Sequence, residues 1–340
     1  MRELKIGKND AGQRLDKFIT KTLDLPTSLL YKSIRLKKIK VNRKRAEIST
    51  KLCEGDTVQC FLAEEFFKKS DTPPTLSNII PKLSIVYEDE NILLVSKRPG
   101  VSVHEDEDGG NNNLITHIQA YLYQRGEYSP EDEQSFAPAL CNRIDRNTAG
   151  IVIAAKNAEA LRVMNEKIKL REIDKFYLAA VHGIPKPAEA LLTGYLLKDE
   201  KTNTVRVYDK NPPRGAKDIK TKYRVINAKN GLSLIEVELL TGRTHQIRAH
   251  MAHIGHPLLG DGKYGINRDD RAKGYKYQAL CSYKLRFTFK ITEEATLLDY
   301  LNGRELKLQG EQLVDYLTTL NAKDVKRMEV ITSSGVEEDA

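Results

Sequence analysis

Apolar positions in the first 60 residues form two helical stripes and two short alternating runs. Leu15, Phe18, Ile19 and Leu23 follow an i, i+3, i+4, i+8 spacing that puts them on one face of a helix between Gly12 and Leu23. Pro26-Thr27-Ser28 opens a second helix, with Leu29, Leu30, Ile34 and Leu36 as its buried side. Ile39-Lys40-Val41-Asn42 and Thr57-Val58-Gln59-Cys60-Phe61 alternate like short strands, and Gly55-Asp56 makes the turn before the second. The pattern predicts a small α/β module over residues 1–62.

Residues 63–82 break that order. Glu64-Glu65, Lys68-Lys69, Ser70, Pro73-Pro74 and Pro81 leave little to bury, and the prolines stiffen the segment into a linker. From 83 to 322 strands and helices mix without a regular βαβ repeat. Residues 92–95 read as a buried strand ended by Pro99-Gly100, 151–154 as a β-branched core strand, and 176–181 and 234–239 as two more strands. Residues 114–122 and 158–170 read as helices, the second with Leu161, Met164 and Ile168 inward. Strands without regular crossover helices predict an α+β domain around a mixed, largely antiparallel sheet. The tail at 323–340, with Ser333-Ser334-Gly335 and Glu337-Glu338-Asp339, has the composition of a disordered end.

Composition narrows the class of protein. A chain of 340 residues suits one large domain plus a small one, and 40% hydrophobic with 30% charged residues is the balance of a soluble globular protein. No apolar run approaches the roughly 20 residues of a membrane span. Met1-Arg2-Glu3-Leu4-Lys5 lacks the apolar stretch of a signal peptide, so a cytoplasmic location is expected. Nothing in the pattern demands more than a monomer. Cys53, Cys60, Cys141 and Cys281 are scattered with no C-x-x-C pair, which implies reduced, mostly buried thiols.

Charge placement changes the picture more. The net charge is +8, yet residues 14–51 alone hold 12 Lys/Arg against 3 Asp/Glu, a local +9. Charge gathered in this way is the footprint of phosphate binding; a solvated basic face is the competing reading. On the predicted layout Lys32, Arg35, Lys37, Lys38, Lys40, Arg43, Lys44 and Arg45 crowd one helix end and the strand after it. The stretch resembles an S4-type RNA-binding module in its R-L-D-K-F opening (Arg14 to Phe18), its basic second helix and its I-K-V-N strand. Clustered Lys and Arg of this kind supply affinity through backbone contacts, without reading sequence.

Four segments stand out for chemistry, though each alone is bland. Asn142-Arg143-Ile144-Asp145-Arg146-Asn147-Thr148-Ala149-Gly150 reads by itself as a turn in which Asp145 bonds its own backbone. Tyr177, within Asp174-Lys175-Phe176-Tyr177, reads as a core aromatic of a strand. Thr241-Gly242-Arg243-Thr244-His245-Gln246-Ile247-Arg248-Ala249-His250 is a strand-to-helix junction that Thr244 can cap, with two arginines and two histidines that are costly to bury unpaired. His256-Pro257-Leu258-Leu259-Gly260-Asp261-Gly262-Lys263-Tyr264-Gly265 is a glycine-rich loop after that helix.

In this order the four segments resemble the RluA-type pseudouridine synthases, over roughly residues 83 to 292. The family's H-R-L-D-x-x-T-S-G stands here as N-R-I-D-R-N-T-A-G, with Asn142 in place of a histidine and with Arg143 and Asp145 kept. T-G-R-T-H-Q-I-R-x-H matches without a change, and Leu280-Cys281-Ser282 before Leu285-x-Phe287 stands where the family has L-H-A-x-x-L-x-F.

What the resemblance implies is specific. Making pseudouridine breaks the N1–C1′ bond of uridine, turns the uracil and rejoins it through C5. No redox change or outside group enters, so no cofactor is required, and the chain carries no P-loop or dinucleotide fingerprint. Asp145 is implied as the nucleophile. It has to be ionised in a pocket that excludes water, a state that a close arginine favours. Arg248 is the first candidate for that partner and Arg243 the second, with RNA phosphate as Arg243's other assignment. Tyr177 is implied to stack on the uracil, worth about 1–3 kcal/mol, and to help remove the C5 proton. Arg143 is implied to insert where the target nucleotide leaves its stack, and Leu280 to wall the pocket. The implied substrate is structured RNA, with large-subunit ribosomal RNA favoured.

Two rival readings remain at this point. A metal hydrolase could use His245, His250, His253 and His256, but on a helix His245 and His250 point about 140° apart and His256 lies beyond the Gly255 stop. A non-catalytic RNA-binding or assembly factor is left room by Asn142; the intact Asp145, Tyr177 and Arg248 weigh against it. The acidic run Glu105-Asp106-Glu107-Asp108 could hold a cation but reads as a solvated loop, so no metal site is expected.

Overall fold

The apolar stripe foreseen in the first helix is the centre of a small core. Leu15, Phe18 and Ile19 are fully buried on α1 (Leu15–Thr22), beside Leu30 and Ile34 of α2 (Thr27–Arg35). They pack on a four-stranded sheet of β1 (Arg2–Lys5), β2 (Ile39–Val41), β3 (Lys44–Arg45) and β4 (Thr57–Cys60), in the order β1-β4-β2-β3. Leu36, expected on the buried side, is instead exposed, because α2 ends at Arg35 and the chain turns away through Lys37 at φ +60°. Strands β1 and β3 were not foreseen; β3 closes a hairpin through Asn42 and Arg43, both at positive φ.

The computed structural model describes residues 1–67, 76–104, 113–265, 267–290 and 293–310. Residues 68–75 of the expected linker, the acidic run Glu105–Asp108 and the expected tail at 323–340 lie outside the described residues. The chain divides into two compact units. The first takes the described part of Met1–Lys82 with Ile115–Ala139 and Ala155–Arg162; the second takes Leu83–Leu114, Leu140–Ala154 and the chain from Val163. The N-terminal segment is thereby grouped with two pieces that the sequence pattern assigns to the larger region. Side-chain bonds account for this: Gln13 Nε2 donates to Ser135 Oγ at 2.7 Å, Ala158 N–H to Asn9 Oδ1 at 3.1 Å and Arg162 to the Ala11 carbonyl at 2.8 Å. The expected linker is also less bare than its composition suggests, since Phe66 and Phe67 lie half-buried against the N-terminal core.

α3 (Leu114–Gln124) lies mostly in the first unit, and α4 (Ala158–Lys169) crosses the division. Met164 is buried on α4, but Leu161 and Ile168 are only half-buried. The second unit is built on an eleven-stranded sheet: β5 (Ile85–Glu88), β6 (Ile92–Lys97), β7 (Ala139–Leu140), β8 (Ala149–Ala155), β9 (Ile173–His182), β10 (Glu189–Asp199), β11 (Thr204–Tyr208), β12 (Lys217–Lys229), β13 (Leu232–Leu239), β14 (Leu280–Phe287) and β15 (Glu305–Lys307). The order along the sheet is β11-β10-β12-β13-β9-β14-β8-β6-β5, with β15 beside β14 and β7 beside β8. Neighbours from β11 to β14 run antiparallel and β14 runs parallel to β8, so the mixed, largely antiparallel α+β fold is as expected. Every residue of β8 is buried, as a strand covered on both faces requires. β12 alternates instead, with Ile219, Thr221 and Tyr223 inward and Lys220, Lys222 and Arg224 in solvent. α5 (Gln246–His253) covers part of the sheet, Ile247 and Met251 packing with Tyr177, Val237 and Leu280. α6 (Asn267–Ala272) follows the glycine-rich loop. Among the described residues no helix is long and apolar enough to cross a membrane.

The parallel junction of β8 and β14 depends on Gly150. It sits opposite Ser282 at φ +112°, and a Cβ there would stand 2.2 Å from the Ser282 carbonyl oxygen. Gly150→Ala is therefore expected to cost about 3 kcal/mol, combining a strained φ with a backbone clash. Gly55→Ala, also at positive φ (+86°) but facing open space, should cost only about 1 kcal/mol. Denaturant midpoints of the two variants measure the contrast, and equal losses would contradict it.

Candidate active site

Asp145 lies in the loop that leads into β8. The turn bond runs from the Thr148 N–H to the Asp145 carbonyl at 2.9 Å, so the backbone closes the turn and the Asp145 side chain is free to leave it. That differs from the turn in which the aspartate bonds its own backbone. The loop is fixed from several sides. Gly100 N–H and Lys97 Nζ both donate to the Arg146 carbonyl, at 3.0 and 2.8 Å, and Gln278 Nε2 donates to Thr148 Oγ1 at 3.1 Å. Asn142, standing where the resemblance has a histidine, accepts the Ile153 N–H at 2.7 Å and ties the incoming strand to β8.

The Asp145 carboxylate meets Arg248, which is buried on the first turn of α5. Nη1 of Arg248 donates to Asp145 Oδ2 at 2.9 Å. Nε and Nη2 grip Asp261 in a bidentate pair at 2.7 and 2.9 Å. Asp261 is fully buried and also accepts the N–H groups of Lys263 and Tyr264 at 2.8 and 3.2 Å. Burial works against the charge on Arg248, but Asp261 and then Asp145 outweigh it and raise its pKa. Burial likewise opposes the charge on Asp261, and the Arg248 bonds with those N–H groups bring its pKa below the ordinary value. Both charges therefore persist inside the protein, as buried ions must when each is paired.

Around this cluster stand three further groups. Tyr177 on β9 is buried opposite Ser282 of β14 and packs with Leu280. Burial, aided by the charge of Asp145, pushes its hydroxyl up to about 12, with Ser282 opposing the shift. Ser282 Oγ is buried without a hydrogen bond of full geometry. At neutral pH Tyr177 is thus a protonated phenol with its ring packed beside Leu280. Lys97, at the end of β6, is almost fully buried and donates to the carbonyls of Arg98, Val101 and Arg146 at 3.1, 2.9 and 2.8 Å. Burial pushes its ammonium down to about 7, with Asp145 and Cys281 opposing. His245 precedes α5 at φ +53°, its Nδ1 3.0 Å from the Tyr264 hydroxyl and its Nε2 3.7 Å from Asp145 Oδ2.

The residues singled out from the sequence separate here. Asp145, Tyr177, Arg248 and Leu280 come together. Arg243 does not: it is exposed, with Nη2 4.0 Å from Asp218, so Arg248 alone of the two candidates reaches Asp145. Arg143 is exposed next to the loop, close enough to help lower the His104 pKa, after burial. Thr244 is exposed and does not cap α5. No side chain caps the helix; Gln246 instead ties down the loop before it, accepting from Thr241 Oγ1 and Arg243 N–H at 2.9 and 3.1 Å. Three of the four histidines weighed as metal ligands have partners away from Asp145: His250 with Thr221, His253 with Asp209 and His256 with the His182 carbonyl. Among the described residues no cluster of His, Cys, Asp and Glu could hold a metal ion. Asp261, Tyr264 and Lys97 were not singled out. A carboxylate framed by Gly260 and Gly262 was the signal for the first, and a lysine closing the apolar run 92–95 for the last.

His245 and His250 are both held down to about 4, chiefly by burial, whereas an unfolded histidine titrates near 6.5. Between those values the unfolded chain takes up protons that the folded one refuses. Stability should be full above about pH 6.5 and fall as pH drops toward 4. His250→Asn should flatten that fall by up to one proton, as read from unfolding free energy against pH. An unchanged slope would contradict the assignment.

Residues 91–253 match the model of the RNA pseudouridylate synthase family, a span that holds Asp145, Tyr177 and Arg248. The chain is 33% identical over 323 residues to a ribosomal large subunit pseudouridine synthase C of Vibrio vulnificus, covering 92% of this chain and 96% of that one. It is 34% identical over 273 residues to the protein of the same name from Vibrio parahaemolyticus, covering 79% and 82%. The structure of human RNA pseudouridylate synthase domain containing 1 shares the fold at a TM-score of 0.51 and 23% identity, covering 72% of this chain and 96% of that one. With identity above three in ten across nearly all of a relative, and with the site residues inside the matched span, the chain belongs to the RluA-type RNA pseudouridine synthases.

Proposed function

We propose that this enzyme converts uridines of large-subunit ribosomal RNA to pseudouridine in the cytoplasm, with Asp145 as nucleophile. The observation that carries the reading is the Arg248 bond to Asp145 Oδ2, which leaves Oδ1 without a protein donor among the described residues. Oδ1 attacks C1′ of the flipped nucleotide and the N1–C1′ pair departs with the uracil. The uracil turns, its C5 attacks C1′ and the C1′–Oδ1 bond breaks to return the Asp145 carboxylate. The proton released from C5 to solvent is matched by one taken up at N1, which restores the ring. Covalent capture splits one hard step into two easier ones. Tyr177 stacks on the base, Leu280 walls the pocket and Arg143, exposed beside the loop, fills the place the nucleotide leaves. Arg243 contacts RNA phosphate. The ribosomal substrate is supported by the relatives' names, each a ribosomal large subunit pseudouridine synthase C. Asn142, which left room for an inactive protein, accepts the Ile153 N–H at 2.7 Å and so has a structural use in this chain.

The reading assigns residues 1–62 as an S4-like RNA-binding module, joined through 63–82 to a catalytic region over 83–322, in a monomer. Lys32, Arg35, Lys37, Lys38, Arg43, Lys44 and Arg45 are exposed, and Lys40 lies half-buried with its ammonium 5.5 Å from the centre of the Phe61 ring. Replacing Lys37, Lys38, Arg43 and Lys44 together by alanine should lower the slope of log affinity against log salt by about 3, from fewer released counterions. Binding titrations at several salt concentrations measure it; an unchanged slope removes the module from RNA contact.

The decisive test of function is a pseudouridine map of ribosomal RNA from cells with the protein, without it, and with Asp145→Asn in its place. One or a few sites should vanish in both deficient strains. An unchanged map would overturn the substrate assignment.

A further inference from the structure

His245 occupies its place against ordinary local preference. It stands at the N-cap of α5 in the left-handed region, at φ +53° and ψ +17°, and its side chain makes no capping bond. Residues favoured at an N-cap have short oxygen-bearing side chains and an extended backbone. A left-handed histidine is retained where the surroundings hold it, commonly at functional sites. Here the conformation swings the imidazole inward, to 8% side-chain exposure, and brings Nε2 to 3.7 Å from Asp145 Oδ2. The Gln246 side chain ties the loop before the helix, accepting from Thr241 Oγ1 and the Arg243 N–H, and α5 has no side-chain cap.

The other ring nitrogen is held too. Nδ1 lies 3.0 Å from the Tyr264 hydroxyl, which accepts the Val205 N–H at 2.8 Å and so has its own proton to give. The Tyr264 ring meets the imidazole edge-on at 5.7 Å and lies 5.3 Å from the Arg248 guanidinium carbon. With Nδ1 accepting, the ring proton of an uncharged imidazole sits on Nε2, facing Asp145. No other partner of Nε2 occurs among the described residues.

We infer that His245 is a positioning residue for Asp145: its Nε2–H, fixed by Tyr264, closes on Oδ2 when RNA binds and leaves Oδ1 as the attacking oxygen. The separation of 3.7 Å is too long for a closed bond, and catalytic hydrogen bonds often stand open before the substrate arrives. Two donors on Oδ2, from Arg248 and His245, define the carboxylate plane where one allows it to swing. The inference rests on the proposed role of Asp145.

The test compares His245→Leu with His245→Gln, which share the left-handed backbone requirement and differ in the donor at the ε position. Single-turnover rates are measured on ribosomal RNA from cells lacking the enzyme, with RNA affinity and thermal midpoint alongside. His245→Leu should be slower by at least about tenfold, the effect of losing a hydrogen bond to a charged group, with RNA affinity and KM unchanged. His245→Gln should recover most of the rate. Equal impairment of the two variants, or a His245→Leu enzyme as fast as wild type, overturns the inference.

A second measurement needs no RNA, so it stands even if the ribosomal substrate proves wrong. The imidazole ¹⁵N shifts of His245, assigned by their loss in His245→Gln, should show a proton on Nε2 and none on Nδ1. Tyr264→Phe should release that preference. A proton found on Nδ1 in the wild type would leave nothing to donate to Asp145 and overturn the inference directly.

Discussion

One guanidinium divided between two carboxylates organises the catalytic unit. Arg248 spends Nε and Nη2 on Asp261 and has Nη1 left for Asp145. A buried arginine with a single carboxylate partner would be neutralised and held in one plane, a structural pair. Adding a second, partly exposed carboxylate turns the pair into a device. Asp261 sets the direction of the guanidinium, and the guanidinium sets where the charge of Asp145 can sit. Breaking a buried pair from one side leaves the other charge uncompensated, so the two carboxylates have unlike roles although both bond the same arginine. Asp261 is sealed by backbone N–H groups, whereas Asp145 retains 28% side-chain exposure and an unoccupied oxygen.

That geometry needs three separate stretches of chain delivered to one place with sub-ångström tolerance, and the sheet does it. The β8–β14 junction fixes the end of the Asp145 loop through Gly150, where no side chain fits. The Lys97 ammonium gathers three carbonyls, one of them from the residue next to Asp145. Gly260, whose Cβ would meet the Tyr277 carbonyl oxygen at 2.3 Å, lets the Asp261 loop run close beneath its neighbour. Its N–H is received by Asp270 at 2.7 Å, which bonds His182 at the end of β9 with the same oxygen. Glycines here permit contact between backbones; the charged residues then fix what the contact allows.

Local pattern carried the elements that bury one face. α1, α2, β8, β9 and β13 were legible because their apolar residues keep a period of 3.6 or 2, or run unbroken through the middle of the sheet. β1 and β3 were not, being a four-residue and a two-residue strand with almost nothing buried. The alternation of Ile219, Thr221 and Tyr223 on β12 was present to be read, but its outer face of lysines looks like loop composition. In the site, Asp145, Tyr177, Arg248 and Leu280 were found through family motifs, since each alone reads as a turn, core or surface residue. Asp261, Tyr264 and Lys97 act through tertiary bonds to residues up to 59 positions away, which no local window contains. Thr244 failed as a cap for a related reason: the helix start is governed by what His245 and Gln246 do in three dimensions, not by which side chain caps best.

Electrostatics in this chain works in two regimes that composition alone would merge. The basic surplus in residues 14–51 is mostly exposed, where charges are screened by water and salt and attract anions over distance with little dependence on geometry. Arg248, Asp261 and Lys97 are buried, where dielectric screening is weak and a bond's direction matters more than net charge. The +8 of the whole molecule therefore describes its surface and says nothing about the buried charges around Asp145. Arg248 is matched there by the bidentate Asp261, so on the proposed reading the partly exposed Asp145 carboxylate keeps a charge that a new bond can consume.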